Sequence, residues 1–301
     1  MLWKRTLEIF GLPATNLLRL EIYGLIARFF DYYFGLNDAK SELVVHKDLR
    51  FDVEFFKILQ SGLRSNDSLA RKYSTYILKR IIDFSDKHPS IIDPTTVEWT
   101  PYFKWDTTES QVYLEYWDDW FLLYDIMHEN VIHLVDPVLP RFETLLKANF
   151  LDASWWILLL HRGFQNDIAS VRKGLLEYIF SRQDPDVLNK LGVQQAFMFG
   201  ALFKTVDNTA LFQVPTQGTM VSPFGEHFRF FMLHLIDSIQ SKQEKVQFLR
   251  QLIHHVSHVV SSYVPILYTM EALAEAQPID AWGPEELKSL RVLVDRHRNF
   301  K

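Results

Sequence analysis

The sequence predicts an all-α protein, an α-solenoid of stacked antiparallel helix pairs, and three observations support this. Apolar residues recur at three- and four-residue spacing along most of the chain, which is the period of an α-helix. The 301 residues include only 11 glycines and 12 prolines, and a sandwich or barrel with many tight turns usually needs more of both. A helix–turn–helix segment also occurs twice, as repeat architectures require.

Four stretches carry the helical spacing most clearly. Their apolar residues are Leu17, Leu20, Leu25, Phe29 and Phe30; Leu122, Ile126, Ile132 and Leu139; Phe230, Leu233, Ile236 and Ile239; and Val246, Leu249, Ile253 and Val256. Capping residues followed by proline predict helix starts at Asp184-Pro185, Ser222-Pro223 and Gly283-Pro284. Longer connections are expected at 88–110 and 205–221. The second is a sub-boundary within a single solenoid of residues 1–301.

The internal repeat relates residues 55–82 to residues 156–182. Aligning Gly62 with Gly163 is a shift of 163 − 62 = 101, and the same shift takes Arg71 to Arg172. In each copy we expect an apolar helix, a glycine that ends it in the left-handed conformation, an Asn/Asp turn and a second helix. Gly62, Arg71, Gly163 and Arg172 are therefore predicted structural positions of the repeat.

The second copy resembles a known repeat. Its run from Asp167 to Lys173 is similar to the second helix of HEAT repeats, which implies a HEAT/armadillo-like solenoid whose arginine pairs with acids of the turn and packs between repeats. Because the shift of 101 exceeds one HEAT unit of roughly 40–47 residues, we expect a further helix pair between the copies. Residues 129–146 are predicted to form its first helix.

A narrower resemblance rests on the two copies together with the segment between them. The segments that carry this resemblance are Gly62-Leu63, Arg71-Lys72-Tyr73, the helix 76–80 and residues 128–146 and 155–172. Over about residues 50–240, the chain resembles the N-terminal helical region of the large eukaryotic tRNA guanosine 2′-O-ribose methyltransferases. In that family the helices precede a knotted methyltransferase domain that binds S-adenosylmethionine. No such segment precedes Lys301. The chain is therefore either a fragment of a longer polypeptide, whose active site and cofactor the resemblance implies to lie outside these residues, or a complete protein that acts alone.

Composition narrows the function classes. The chain has no cysteine, which excludes disulfides, thiolate zinc sites and a cysteine nucleophile. Its net charge of −5 provides no global attraction to nucleic acid, so any RNA contact needs a local basic patch. No apolar run reaches the roughly 18–20 residues of a membrane span, and we expect a cytoplasmic protein with no membrane partner.

Catalytic and metal-binding patterns are weak. His254 and His258 share a helix face but lack a nearby carboxylate, whereas His128 and His133 are one residue too far apart for a metalloprotease motif. Adjacent residues diverge by about 100° on a helix, so Asp118 and Asp119 do not converge on one substrate. We therefore expect the aromatic segment around them to be packed core, and we expect no catalytic residue and no metal in this chain.

Paired basic residues are the strongest functional signal. Lys72, Lys79, Arg80 and Lys173 are predicted to face solvent, and in stacked repeats such residues can line a surface that neutralises RNA phosphates. The competing interpretation is a solvated helix face with no ligand.

These observations support two main hypotheses about the function. The first is a non-catalytic arm that assists tRNA binding for a methyltransferase domain. The alternative is a stand-alone scaffold for protein partners with no nucleic-acid role. An unrecognised metal-dependent enzyme is the third and weakest hypothesis.

Overall fold

The computed structural model describes about two thirds of the chain. The described residues are 16–30, 34, 48–89, 95, 97–128, 145, 151–166, 168–180, 203–204, 206–214, 221–239, 241–259, 263–276 and 283–298. Within them the regular elements are ten α-helices and two 3₁₀ helices, and the extended pairing is limited to an isolated bridge between Thr100 and Phe103. The predicted all-α class is confirmed for these residues, whereas the solenoid arrangement stays a prediction.

The helices follow one another with connections of very different length. They are α1 (Asn16–Arg28), α2 (Val53–Leu63), α3 (Ser68–Lys87), α4 (Ser110–His128), α5 (Ala153–Phe164), α6 (Ala169–Phe180), α7 (Pro223–Asp237), α8 (Lys242–Val259), α9 (Tyr263–Ala276) and α10 (Pro284–Arg298). The 3₁₀ helices are Leu49–Phe51 and Thr209–Phe212. The predicted helix at 129–146 lies outside the described residues, apart from Leu145.

The chain forms two compact units. Unit 1 comprises Met1–Leu122 and Ala148–Leu158, and unit 2 comprises Leu123–Lys147 and Leu159–Lys301. The predicted single solenoid over 1–301, with a sub-boundary at 205–221, stays a prediction.

Unit 1 is built around α3, against which both α1 and α2 pack. Beside these helices lies an aromatic core, in which the indole of Trp120 donates a hydrogen bond to the Trp155 carbonyl at 3.0 Å. Its large, almost fully buried members are Phe56, Phe103, Trp105, Trp117, Trp120 and Trp155. The aromatic segment that ends at Phe121 is thus packed core, as the sequence predicted.

The two repeat glycines lie inside helices, so the predicted left-handed helix ends are wrong. Gly62 belongs to α2, and a Cβ atom there would lie 2.2 Å from the Ser74 Oγ and 2.3 Å from the Tyr23 hydroxyl. Gly163 belongs to α5, and its Cβ would lie 2.3 Å from the Leu175 Cδ2. Glycine is favoured at both positions, because the two helices of each pair cross so closely that a Cβ atom would force these neighbouring side chains to shift.

The crossing point obeys the same shift as the sequence repeat. Ser74 and Leu175 are the residues that face the glycine in the two copies, and 175 − 74 = 101. The helices that carry them begin at Ser68 and Ala169, again 169 − 68 = 101. The repeat is therefore a repeat of packing geometry as well as of sequence.

The repeat arginines hold the turn between the paired helices. The Arg71 guanidinium donates through Nη1 to the Ser65 carbonyl at 2.7 Å and to the Asn66 carbonyl at 2.8 Å. Arg172 donates through Nη1 to the Asn166 carbonyl, which is the shifted equivalent of Ser65. These partners are backbone carbonyls of the turn, because the chain folds back there and presents its free carbonyls to the guanidinium.

A capping side chain starts the second helix of the first copy as predicted. The Asp67 carboxylate accepts from the amides of Leu69 and Ala70 at 2.7 and 3.2 Å. These bonds satisfy amides that a helix start leaves without partners. In the second copy the Asn166 side chain accepts at 2.8 Å from the amide of Ile168, the residue before α6 begins, and so it stabilises the turn.

Two of the three predicted helix starts at proline are confirmed. Pro223 opens α7, and the Ser222 hydroxyl accepts from the Gly225 amide at 3.2 Å. Pro284 opens α10. The predicted start at Asp184-Pro185 lies outside the described residues.

Unit 2 is centred on α7, which packs against α6, α8 and α9. Phe180 contributes the α6 side of an aromatic cluster that includes Phe228 and Phe231. On the surface, Arg229 hydrogen-bonds Glu226 of its own helix at 3.0 Å. Burial favours a lower pKa for Arg229, but the hydrogen bond and charge of Glu226, together with the charges of Glu275 and Glu271, outweigh it and raise the pKa.

The predicted apolar stripes are buried only in part. In the first stripe, Leu17 and Phe29 are 71% and 53% exposed, whereas Phe30 is buried. In α7, Phe230 is exposed and Ile236 is buried.

Alanine at Gly62 should destabilise the protein by about 1–3 kcal/mol, the usual cost of overpacking. The added methyl displaces Ser74 and Tyr23, whose hydroxyls donate to the carbonyls of Ala70 and Ile58. The free energy of unfolding in urea measures the loss. Gly24→Ala in α1 is the matched control, because its nearest contacts are 3.5 Å away. There alanine should be neutral or stabilising by about 0.5–1 kcal/mol, and equal losses in both variants would contradict the crossing argument.

Replacing Arg71 by glutamine should also destabilise the fold, by about 1–3 kcal/mol, because two turn carbonyls lose their donor. The neighbouring Lys72 is exposed, so Lys72→Gln should change stability by no more than about 0.5 kcal/mol. Urea unfolding of the two variants side by side tests this, and a similar midpoint for both would remove the structural role of Arg71.

Candidate nucleic-acid interface

Three of the four predicted RNA-binding residues lie on the outer side of α3. Lys72 and Lys79 are exposed and Arg80 is half-buried, whereas Ile77, Leu78 and Ile81 are buried. Lys72 and Lys79 are seven residues apart and share one helix face, about 10 Å apart along the axis. We call the exposed side of α3 from Leu69 to Lys87 the α3 face.

An aromatic ring positions Lys79. Its ammonium nitrogen lies 4.8 Å from the centroid of Phe121 on α4, and Phe121 itself is buried in unit 1. A cation–π contact at an exposed site contributes about 0.5–1 kcal/mol. The contact restricts the lysine side chain and leaves its N–H groups able to bind an anion.

Two other cations of the α3 face, Arg80 and Lys87, share the carboxylate of Asp83. Arg80 lies 3.3 Å from Asp83 and its guanidinium is 5.1 Å from the centroid of Phe30. Lys87 also reaches Asp83, at 2.8 Å. Exposed pairs of this kind contribute about 0–1 kcal/mol and are screened by salt.

The α3 face is positive in an acidic chain. It carries four cations, Lys72, Lys79, Arg80 and Lys87, against the two carboxylates Asp83 and Asp86, which gives 4 − 2 = +2. The whole chain has a net charge of −5. The α3 face therefore meets the condition that the sequence set for RNA contact, a local basic patch.

The fourth predicted residue, Lys173, belongs to unit 2 and has a different environment. It lies 3.6 Å from Glu177 one turn later on α6. The shift of 101 takes Tyr76 to Glu177 and Lys79 to Phe180, and Phe180 is buried. The basic pattern of α3 is therefore not repeated on α6, although the helix-pair geometry is.

Sequence reasoning missed Tyr76. Its side chain is 49% exposed on the α3 face, four residues after Lys72 and three before Lys79. The signal was present, since aromatic residues interleaved with lysines at helical spacing are typical of nucleic-acid surfaces. The ring partners Phe121 and Phe30 could not be found in this way, because they come from other helices.

The histidine and aspartate pairs that the sequence analysis considered do not form a site in the described residues. His254 is exposed, and the side chain of His258 lies outside those described. Asp118 is exposed whereas its neighbour Asp119 is half-buried. The described part of the chain contains no group of three or more His, Asp or Glu residues placed to hold a metal ion. In that same part, no helix is long and apolar enough to cross a membrane.

Comparison with known proteins agrees with the resemblance drawn from the sequence. The profile of the TARBP1 domain matches residues 18–175, a stretch that includes both repeat copies up to Leu175 and the whole α3 face. A mouse protein, tRNA (guanosine(18)-2′-O)-methyltransferase TARBP1, is 25% identical over 262 residues. No solved structure matches the chain.

The two chains differ greatly in length. The alignment with the mouse protein covers 83% of this chain but only 16% of the mouse protein. The profile, in contrast, covers just over half of the 301 residues. The chain therefore belongs to the TARBP1 domain family.

Proposed function

We propose that this chain is a non-catalytic, RNA-binding helical part of a protein that methylates tRNA. Membership of the TARBP1 domain family and the similarity to a mouse tRNA 2′-O-methyltransferase support the link to tRNA methylation. In this proposal the catalytic domain and its S-adenosylmethionine lie outside this chain. The helix pairs stack as a HEAT-like solenoid that holds tRNA for that domain.

The observation that carries the proposal is the pair Lys72 and Lys79. Both are exposed on one face of α3, and neither makes an ion pair with a carboxylate in the described part of the chain. Phosphate binding by such lysines releases counterions from the RNA, which supplies affinity without sequence preference. Arg80 has Asp83 as a competing partner, and we assign it a smaller share of the binding.

The alternative proposal is a scaffold that binds proteins and not RNA. The net charge of −5 and the exposed apolar residues Leu69 and Leu122 favour it. The two proposals make opposite predictions for charge reversal on the α3 face, so one experiment separates them.

Reversing both charges, in Lys72→Glu/Lys79→Glu, should weaken binding to unmodified tRNA by roughly tenfold or more at low salt, since two phosphate contacts become repulsive. The slope of log affinity against log salt concentration should flatten by about 1.5. Gel shift or fluorescence anisotropy over a salt series measures both quantities.

The matched control is Lys57→Glu/Lys104→Glu, which changes the net charge of unit 1 equally. Lys57 and Lys104 are exposed outside α3, and this variant should retain most of the affinity. If the two double variants bind tRNA equally well, the α3 face is not the interface. If the wild-type chain binds no tRNA, the RNA proposal fails and the scaffold proposal replaces it.

A further inference from the structure

The α3 face combines two lysines with an exposed aromatic ring between them. Tyr76 lies about 6 Å along the helix axis from Lys72 and about 4.5 Å from Lys79. All three fall within about 60° of one another around α3. Charged groups thus stand on both sides of a ring that is 49% exposed.

The packing of α3 does not require an aromatic ring at position 76. Core positions on α3 are already taken by Ile77, Leu78 and Ile81, each fully buried. In the shifted position of the second copy the residue is Glu177, which forms an ion pair with Lys173. The helix-pair geometry is therefore compatible with a charged group at this position, so packing does not require an aromatic one.

We propose that Tyr76 is the stacking platform for an unpaired base of the bound RNA, with Lys72 and Lys79 on the phosphates at either side. This rests on the proposed RNA-binding function and specifies its substrate class, RNA with an unpaired nucleotide. A base inside a duplex is covered by its neighbours and cannot offer its face to a tyrosine ring, whereas a base in a loop or single strand can.

Neighbouring contacts favour this occupant over an apolar protein segment. Lys79 is held by Phe121 at 4.8 Å, and Lys72 is exposed one turn before Tyr76, so an apolar partner would have to desolvate two ammonium groups. An RNA strand instead supplies phosphates for the lysines and a base for the ring. Charge complementarity therefore selects the nucleic acid.

Three substitutions and two RNA probes test the proposal. Tyr76→Leu removes the ring and keeps an apolar side chain, Tyr76→Phe keeps the ring, and Leu69→Ala trims a comparably exposed residue on the same face. The probes are a short oligouridine containing one 5-iodouridine, and the same strand annealed to its complement. Binding is measured by anisotropy, and photocrosslinking followed by mass spectrometry locates the contact.

We expect Tyr76→Leu to weaken single-strand binding by ~5- to 150-fold and to abolish the crosslink at residue 76. Duplex binding should not change, and Tyr76→Phe and Leu69→Ala should behave like the wild type. Unfolding in urea checks that all variants are folded.

Two results would overturn the inference, and they are distinguishable. If Tyr76→Leu affects single strand and duplex alike, or neither, while Lys72→Glu/Lys79→Glu weakens both, the lysines bind RNA but Tyr76 does not stack. If the wild-type chain binds neither probe nor tRNA, the proposed function itself fails.

Discussion

The close crossing of paired helices at glycine is the constraint on which the rest of unit 1 depends. At Gly62 the backbone of α2 lies so near Ser74 and Tyr23 that a Cβ atom would force both side chains to shift. Because this contact holds α3 in place, the side of α3 that faces α2 is buried, and the opposite side is left exposed to solvent. The position of Lys72, Tyr76 and Lys79 is thus a consequence of a packing contact on the opposite side of the same helix.

Comparing the two repeat copies shows which positions need a particular residue for packing and which accept different residues. Gly62 and Gly163, and Arg71 and Arg172, keep their identity under the shift of 101, and each pair keeps one equivalent contact. On the outer side, Tyr76 becomes Glu177 under the same shift. Turn carbonyls and helix crossings demand particular residues, whereas a solvent-facing position accepts many. A residue that is aromatic where the fold accepts glutamate therefore needs another explanation.

The sequence predicted the helices and the repeat well, and it predicted the buried helix faces only in part. Caps such as Asp67 and Ser222 act locally, so the residues that make the hydrogen bonds are neighbours in the chain. Which face of a helix is buried depends on residues that are distant in the sequence. With 48% hydrophobic residues there are more apolar side chains than core positions, and α1 offers one stripe through Leu17 and another through Ile22. Only packing against α3 selects the second. Gly62 illustrates the same limit, since its neighbour Tyr23 is distant in sequence.

The basic residues of the candidate site could be found from the sequence. Which of them are already paired with a carboxylate, and which are able to bind a phosphate, could not. Lys79 and Arg80 are adjacent in the chain, yet one meets Phe121 and the other meets Asp83 and Phe30. A carboxylate competes directly with a phosphate for a cation, whereas a ring competes weakly because it carries no net charge. Restricting the lysine beforehand also lowers the entropy lost when it binds. The ring contact therefore makes Lys79 a better anion ligand than a free lysine, and the carboxylate makes Arg80 a poorer one than its higher donor count suggests.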